Sequence, residues 1–523
     1  MSGLFSTLNT ANKGLFAQQI ALHTTSHNIA NANTDGYTRQ RVELKADLAY
    51  NLSGIGQLGT GVKMDSIVRL VDDFVTKQIR NEMGTLERFV SKSEVIDQLE
   101  VIFNEPSTTG LNFYLGEMFD SWQELSKNPE NLTSKTIVVE KSKALADTIN
   151  HISSQIHSLK DETIGQIEKN VLDFNSIVDK LESLNQQILN ISITGQVPND
   201  LLDQRDLMLK ELGTISNFKT SFDEYGRVSI KNGEINILGG AEELYELSVV
   251  TDIIENIDSD GEIVNYTVFI SRGGNNSDSP VEINIDNKGD FEIGKVIFTK
   301  RDGDIDSLDA IQITDGILSG KLKGYSEALK NIDDSIISLN EFANTLAKAM
   351  NIIHTGNSEI HNGVEFFKIE NGKIEVNKEI KNEHNKVLSG VDYNSPEGDG
   401  SRALAIAKLR NTKLLLKGLD ENNYDYNPST MSIEDMVGGI TIEGAYGNIV
   451  SNIGISKEHS DNKIKNQMVL VGQLEMRRES ISGVSIDEEV SNVIKYQKAY
   501  EANARVINVL SEMLDVLINR TGV

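Results

Sequence analysis

The segment HNIANANTDGYTRQRVEL, residues 27–44, decides how the N-terminal part of the chain folds. Asparagine side chains compete with helical backbone for hydrogen bonds, so they disfavour the interior of a helix. A helix that arrives from the N-terminus is therefore predicted to end within this segment, at the cluster Asn28, Asn31 and Asn33.

Residues 34–37, Thr-Asp-Gly-Tyr, then have the chemistry of a β-turn, with Gly36 able to take a positive φ at the third position. After Tyr37 apolar and polar residues alternate, which predicts a short half-exposed strand. We call this segment the signature turn, and it comprises Asn31, Asn33, Thr34, Asp35, Gly36, Tyr37 and Arg39.

Upstream of the turn, apolar residues recur at the spacing of a coiled coil. Polar Gln18 and Thr25 occupy two positions of the same stripe. A helix with so little apolar surface of its own needs a partner to stay folded. The predicted N-terminal seam comprises Leu4, Leu8, Ala11, Leu15, Leu22 and Ile29.

The C-terminus has the same periodicity, again with two polar residues, Gln497 and Ser511, in the stripe. The predicted C-terminal seam comprises Ile486, Val490, Val493, Tyr500, Ala504, Ile507, Leu514 and Ile518. A second apolar row widens this face beyond a two-helix seam, so the helix is expected to contact more than one partner. That row comprises Ile494, Val509, Leu510, Met513, Val516 and Leu517.

The interior of the chain alternates between helical and strand patterns. Helical periodicity covers residues 66–104, 111–193, 317–354, 401–416 and 456–478, and a turn-rich stretch covers 355–400. Residues 218–314 alternate apolar with polar around Asn-Gly and Asp-Gly pairs, which indicates hairpins. The predicted fold is therefore multidomain α+β, with long terminal helices forming a coiled coil, a helical-bundle domain and an inserted mostly-β domain.

We assign three predicted domains from these patterns. Residues 1–60 with 484–523 form a terminal coiled-coil assembly domain, 61–215 with 317–483 a mainly helical domain, and 216–316 an acidic β domain. The formal charge is -28, but residues 1–60 sum to +1 and residues 484–523 to -2. Nearly neutral ends are expected if they pack against other surfaces while the middle faces water.

Composition excludes several classes of function. A pI near 4.7 argues against nucleic-acid binding, which needs a basic surface. The sequence has no cysteine, so it has no disulfide, thiolate zinc site or cysteine nucleophile. It also shows no apolar run that indicates a membrane span and no secretory signal pattern, so no membrane partner is expected.

Three patterns resemble ligand sites but lack necessary residues. Gly54, Gly56 and Gly59 have the spacing of a dinucleotide loop but lack the preceding apolar strand and the following helix, which favours a flexible glycine loop. The second pattern is a group of acidic residues that resembles the start of a calcium loop, and the third is a pair of histidines on one helix face. They comprise Asp302, Asp304 and Asp306, and His23 and His27.

The acidic pattern fails because Ser307 and Ile313 stand where a calcium loop needs Gly and Glu, so a hairpin turn is favoured. The histidine pair has no third ligand in view and Thr24 in place of the catalytic Glu, so polar edge residues of a packed helix are favoured. The sequence therefore predicts no catalytic residue, no metal and no cofactor.

Four blocks of sequence resemble known proteins. The N-terminal NANTDGYTRQRV (31–42) and the C-terminal SGVSIDEEVSNVIKYQKAYEANARVI (482–507) resemble the terminal signatures of bacterial flagellar rod, hook and hook-associated proteins. FDSWQELSKNPEN (119–131) and NDLLDQRDLMLKEL (199–212) resemble the helical domain of the hook-associated protein 1 family, the hook-filament junction proteins. Asp35 stands where that group usually has Pro, so this turn is less rigidly set.

The resemblance implies a structural protein that forms an adaptor ring at the hook-filament junction. Its terminal helices would pair within a subunit and pack against neighbouring subunits. Implied partners are identical subunits, the hook protein, the second junction protein, the filament proteins and an export chaperone at the C-terminal helix. The implied location is the extracellular flagellum, reached through type III export without a cleaved signal peptide.

Two alternatives remain open from the sequence. A hook or distal rod protein shares both terminal signatures, although the two internal blocks favour the junction protein. A secreted enzyme carried on axial-protein ends would need clustered titratable groups in residues 218–400, where the sequence shows dispersed acids instead.

Overall fold

A computed structural model gives the architecture of the chain. It describes residues 2–52, 56–103, 110–240, 243–258, 262–272, 280–301, 308–313, 315–356, 363–370, 372–392, 395–416 and 426–520. Of the patterns above, Gly54 and the three aspartates Asp302, Asp304 and Asp306 lie outside the described residues.

Long helices dominate the described residues. They are α1 (Ser2–Ala30), α2 (Asp73–Phe103), α3 (Leu111–Lys127), α4 (Leu132–Ser192), α5 (Asn199–Ile215), α6 (Lys321–Thr355), α7 (Lys378–Asn382), α8 (Ser401–Lys408), α9 (Ile442–Ser482) and α10 (Ile486–Asp515). A π-helical segment, Val516–Arg520, continues α10.

The strands form small antiparallel sheets. They are β1 (Gln40–Ala46), β2 (Tyr50–Leu52), β3 (Gly56–Leu58), β4 (Val62–Arg69), β5 (Lys219–Phe222), β6 (Val228–Asn232), β7 (Ile235–Leu238), β8 (Tyr245–Ile257), β9 (Ile263–Ser271), β10 (Val281–Ile285), β11 (Val296–Lys300), β12 (Ile311–Gln312), β13 (Phe367–Glu370), β14 (Lys373–Val376), β15 (Tyr426–Asn427) and β16 (Ser432–Ile433). The largest sheet has the order β10-β9-β8-β11-β12.

This architecture confirms the predicted α+β class, but several predicted helix limits are wrong. The helix predicted from residue 66 begins only at Asp73, because residues 62–69 pair with β1 as strand β4. The stretch 111–193 is two helices, because Asn131 caps a new helix by accepting a hydrogen bond from the Thr133 N–H.

Two further predicted helix limits, in the C-terminal part of the chain, are also wrong. The helix predicted from residue 456 starts at Ile442, where Thr441 caps it. The helix predicted over 401–416 ends at Lys408 and continues as a 3-10 turn, Leu409–Asn411. The predicted strand region agrees with strands β5 to β12.

One large core joins the helices to part of the β region. Its biggest buried side chains include Trp122 of α3, Phe174 of α4 and Tyr446 of α9. Asn175 of α4 extends the contact to β8, because its side chain donates to the Leu247 carbonyl (2.9 Å) and accepts from the Leu247 N–H (3.1 Å). Among the described helices, none is long and apolar enough to cross a membrane.

His354, near the end of α6, is buried in this core as a neutral ring. Its Nε2 accepts a hydrogen bond from the Leu388 N–H (3.0 Å), so its Nδ1 carries the proton and donates to the Val364 carbonyl (2.9 Å). Burial, helped by the charge of Arg402, lowers the pKa of His354 to about 3. The ring therefore resists protonation in the folded chain.

We expect His354 to make folding stability pH-dependent. Below about pH 6.5 His354 is protonated in the unfolded chain, whereas in the folded chain it is not protonated until about pH 3. The folding stability that depends on the neutral ring is therefore present at neutral pH and is lost on acidification. The loss through this residue should be roughly 3 kcal/mol between pH 7 and pH 4.5. Urea unfolding of the wild type and His354→Gln across this range measures it, with exposed His151→Gln as the control. Parallel curves for wild type and His354→Gln would contradict the assignment.

Candidate functional site

The signature turn folds as its sequence predicts. Helix α1 ends at Ala30, and the Tyr37 N–H donates to the Thr34 carbonyl (3.2 Å). Gly36 has a φ of 75°, and a Cβ at this position would lie 3.3 Å from the Leu207 side chain of α5. The turn therefore needs glycine both for its backbone conformation and for its close approach to α5.

Asn28, at the end of α1, is the centre of a buried hydrogen-bond network. Its Nδ2 donates to the Gln40 carbonyl (2.9 Å) and to Glu489 Oε2 of α10 (3.0 Å). Its Oδ1 accepts from the Gln40 N–H (3.0 Å) and from the Tyr37 hydroxyl (2.8 Å). All four hydrogen-bonding positions of this amide are used, so Asn28 ties together α1, the turn, β1 and α10.

Arg39 forms the ionic contact between the turn and α10. Its Nε donates to Glu489 Oε1 (2.8 Å), and its Nη1 donates to Glu488 Oε2 (2.9 Å). The Glu489 side chain is only 2% exposed, so Arg39 and Asn28 together compensate its desolvation. The Arg39 N–H also donates to the carbonyl of Ser482, the last residue of α9 (2.9 Å).

Helix α5 binds the other side of the turn through its aspartates. Asp203 Oδ2 accepts from the Thr38 N–H (3.1 Å), and its Oδ1 accepts from Arg69 Nη1 (2.7 Å). The same Arg69 nitrogen donates to Asp206 Oδ2 (2.9 Å). Burial raises the pKa of Asp203, and the hydrogen bonds from Arg69 and Thr38 oppose that rise.

Gln40 completes this cluster, because its Nε2 donates to Asp200 Oδ1 of α5 (2.9 Å). We call the whole cluster the terminal joint, since it is where the terminal helices meet the helical domain. It comprises Asn28, Arg39, Gln40, Arg69, Asp200, Asp203, Asp206 and Glu489.

Most of the terminal joint was not predicted as a site. The sequence places Arg39 in the signature turn and gives Asn28 only a role in ending the helix. The three aspartates lie in the sequence block 199–212, and their spacing of three residues puts them on one face of α5, a signal that could have found them. Glu489 lies in the first turn of α10, where an acid is expected for the helix dipole alone.

The histidine pair of α1 is divided between two environments. His27 Nδ1 lies 3.0 Å from the Tyr37 hydroxyl, and the two rings meet edge to face. Burial raises the pKa of that tyrosine further above its ordinary value. His23 is exposed. Within the described ranges, no group of three His, Cys, Asp or Glu side chains is placed to hold a metal ion.

The structure also shows where the glycines of the dinucleotide-like pattern lie, except for Gly54. Gly56 begins strand β3, and Gly59 follows that strand, so the segment is part of the β2–β3 hairpin. Strand β4 comes next instead of the helix that a dinucleotide loop requires.

Helices α1 and α10 pack against each other in antiparallel orientation. Asn28 contacts Glu489, and further along, a Cβ on Gly14 would lie 2.8 Å from Asn503 Oδ1. Of the predicted N-terminal seam, Ala11 is buried, and the other members are half-buried: Leu4, Leu8, Leu15, Leu22 and Ile29.

The predicted C-terminal seam is divided between half-buried and exposed positions. Leu510, from the second apolar row, is a buried residue of α10. The half-buried seam residues are Val493, Tyr500, Ala504, Ile507 and Leu514, and the exposed ones are Ile486, Val490 and Ile518. Much of the apolar surface of α10 therefore faces solvent in the single chain. The exposed members of the second row are Ile494, Val509, Met513, Val516 and Leu517.

Comparisons with known proteins cover both ends and the middle of the chain. Residues 96–367 match the family model of the flagellar hook-associated protein FlgK helical domain. Residues 8–38 match the flagella basal body rod protein model, and residues 478–520 match the C-terminal model of the flagellar basal body rod FlgEFG proteins.

Full-length relatives and a solved structure agree with the matches to these flagellar family models. Flagellar hook-associated protein 1 of Bacillus subtilis is 29% identical over 546 aligned residues, covering 100% of this chain and 99% of the relative. The protein of the same name from Salmonella typhimurium is 24% identical, covering 98% and 99%. The flagellar hook junction protein FlgK from Burkholderia pseudomallei shares the fold, with a TM-score of 0.56, 13% identity, and coverage of 77% of this chain and 100% of that one.

The match to the helical-domain model spans just over half of the sequence. The rod-protein models match the two terminal segments that meet at the terminal joint. The chain therefore belongs to the flagellar hook-associated protein FlgK family.

Proposed function

We propose that the chain is a structural component of the bacterial flagellum that forms the adaptor ring at the hook-filament junction. The exposed apolar surface of α10 carries this proposal. This 30-residue helix has only two buried residues among those described, Glu489 and Leu510. Ile494, Val509 and Met513 are each at least half exposed. Exposed apolar surface of this extent marks a site that another protein surface covers.

The family assignment favours the junction over the hook or rod alternatives. The rod-protein models match only the ends of the chain, whereas the hook-associated model matches its middle. The names of the full-length relatives describe hook-associated proteins, and this supports a structural role without catalysis.

The proposal includes partners and three domains. Residues 1–60 with 484–523 form the assembly domain, 61–215 with 317–483 the helical domain, and 216–316 an outward-facing acidic domain. The terminal seams bind identical subunits, the hook protein, the second junction protein and filament proteins. An export chaperone covers the C-terminal helix before assembly.

Deleting residues 484–523 tests this function. We expect the truncated protein to keep a folded helical domain, because the large core contains no residue of α10. It should fail to join filament to hook, because the deletion removes the exposed apolar surface. Electron microscopy of flagella from cells that carry only the truncated gene measures the second effect, and circular dichroism measures the first.

The matched control is the full-length gene in the same cells, which should restore filaments on hooks. Filaments that attach normally to hooks in the deletion strain would refute the proposed role of the terminal helix. Unfolding of the truncated protein would show instead that α10 belongs to the core of the single chain.

A further inference from the structure

Strands β1 and β4 form a two-stranded ribbon that lies between two parts of the molecule. On one side Gln40 contacts Asn28 of α1, and Asn28 in turn donates to Glu489 of α10. On the other side the ribbon contacts α5, through Asp203 and its neighbours. The register of the ribbon pairs Gln40 with Arg69, so one cross-strand pair carries contacts to both sides.

Both sides are bound through the Gln40–Arg69 pair, and Gln40 itself also donates to Asp200 of α5 (2.9 Å). Gln40 holds Asn28 through both its N–H and its carbonyl, at 3.0 and 2.9 Å. Arg69 holds Asp203 and Asp206 at 2.7 and 2.9 Å, and its side chain is only 10% exposed. A buried pair of this kind is weakly screened by salt and leaves an uncompensated charge if one partner is removed.

The covalent connections between the two parts are short. The chain passes from β4 to α2 through residues 70–72, and from α9 to α10 through residues 483–485. Two short links define an axis about which one part can rotate against the other. Contacts that bridge the two parts beside these links must therefore fix the angle. Arg69, which immediately precedes the first link, provides such a contact by holding two aspartates of α5.

We propose that the β1–β4 ribbon is an angle-setting coupler, in which Arg69 fixes the direction in which the terminal helices leave the helical domain. Asn28 and Arg39 attach the terminal helices to the ribbon, and Arg69 attaches the ribbon to α5. Loss of the Arg69 contact should free the angle while the terminal helices stay paired. The inference deepens the proposed function, because subunits with one fixed angle present matching seams to their neighbours.

Distance measurements between spin labels test the coupler in the full-length chain. The sequence has no cysteine, so single cysteines can be introduced at chosen exposed sites without background. Labels at Gln19 of α1 and Ser183 of α4 report the angle, since both residues are exposed. Labels at Ala30 and Ala502, also exposed, report pairing of α1 with α10.

We expect Arg69→Gln to broaden the Gln19–Ser183 distance distribution about twofold, and to leave the Ala30–Ala502 distribution unchanged. Arg69→Lys should give an intermediate width, because one ammonium cannot reproduce the planar guanidinium contact with two carboxylates. The matched control is Lys45→Gln, which removes an exposed ion pair with Asp65 on the same ribbon and contacts neither side.

Equal Gln19–Ser183 widths for Arg69→Gln, Lys45→Gln and the wild type would overturn the proposal. If Arg69→Gln does not fold, Asp206→Asn serves instead, because Asp203 remains bound to Arg69 and an intermediate width is expected. Unchanged width in folded Asp206→Asn would then overturn it. These measurements use the isolated chain, so a chain with a fixed angle that nevertheless fails to form junctions would contradict the proposed function alone.

Discussion

Asn28→Leu is expected to release the terminal helices from the ribbon while the helical domain stays folded. The substitution removes the acceptor of the Gln40 N–H and the Tyr37 hydroxyl and one donor to Glu489. Burying these groups without partners should cost about 3–5 kcal/mol. The cost falls on the terminal joint, because Asn28 lies outside the large core.

Hydrogen exchange of backbone amides measures this effect. Protection should fall in the last turns of α1 and the first turns of α10, and should stay unchanged in α4 and α6. Asn33→Leu is the matched control, because Asn33 is an exposed asparagine of the same turn. If both substitutions lower protection equally, the loss belongs to the turn sequence in general and the network around Asn28 is not the cause.

The sequence predicts local structure in this chain well where periodicity or turn chemistry is strong. The end of α1, the positive φ of Gly36 and the strand that follows are each predicted from residues nearby in the sequence. The error at residues 66–72 has a physical reason. Ile67 and Val68 fit either a helix face or a half-buried strand, and pairing with β1 decides between them.

The terminal joint could not be predicted, because its contacts connect distant parts of the chain. Thr38 and Asp203 are separated by 165 residues, and Asn28 and Glu489 by 461. Local sequence patterns already explain each residue by a local role, because Asn28 ends a helix and Glu489 interacts favourably with a helix dipole. Only the packing of α5 and α10 around the ribbon shows that these residues form one network.

The C-terminal seam shows a related limit of periodicity. The heptad spacing defines an apolar stripe on α10 but does not say which side faces α1. In the structure Leu510 of the second row is buried, whereas Val490 and Ile518 of the predicted seam are exposed. A helix with apolar residues on more than one side has several possible partners, and the single chain supplies one of them.

The exposed row of α10 gives the second large prediction. Replacing Ile494, Val509 and Met513 together with Asp should abolish attachment of filaments to hooks. Each residue is at least half exposed in the single chain, so the substitutions should leave its thermal unfolding midpoint nearly unchanged. In the assembly each would lose roughly 1.5 kcal/mol or more of apolar burial and would bury a charge instead.

Electron microscopy of flagella and thermal unfolding of the purified variant measure the two effects separately. The matched control adds the same charge to α4, by replacing exposed Gln155, Ser158 and Gln187 with Asp. Both variants should fold, and only the α10 variant should leave hooks without filaments, because the proposed function places its added charge where subunits meet. Normal filaments in the α10 variant would mean that these three side chains stay in water in the flagellum, and that the terminal helices assemble through another face.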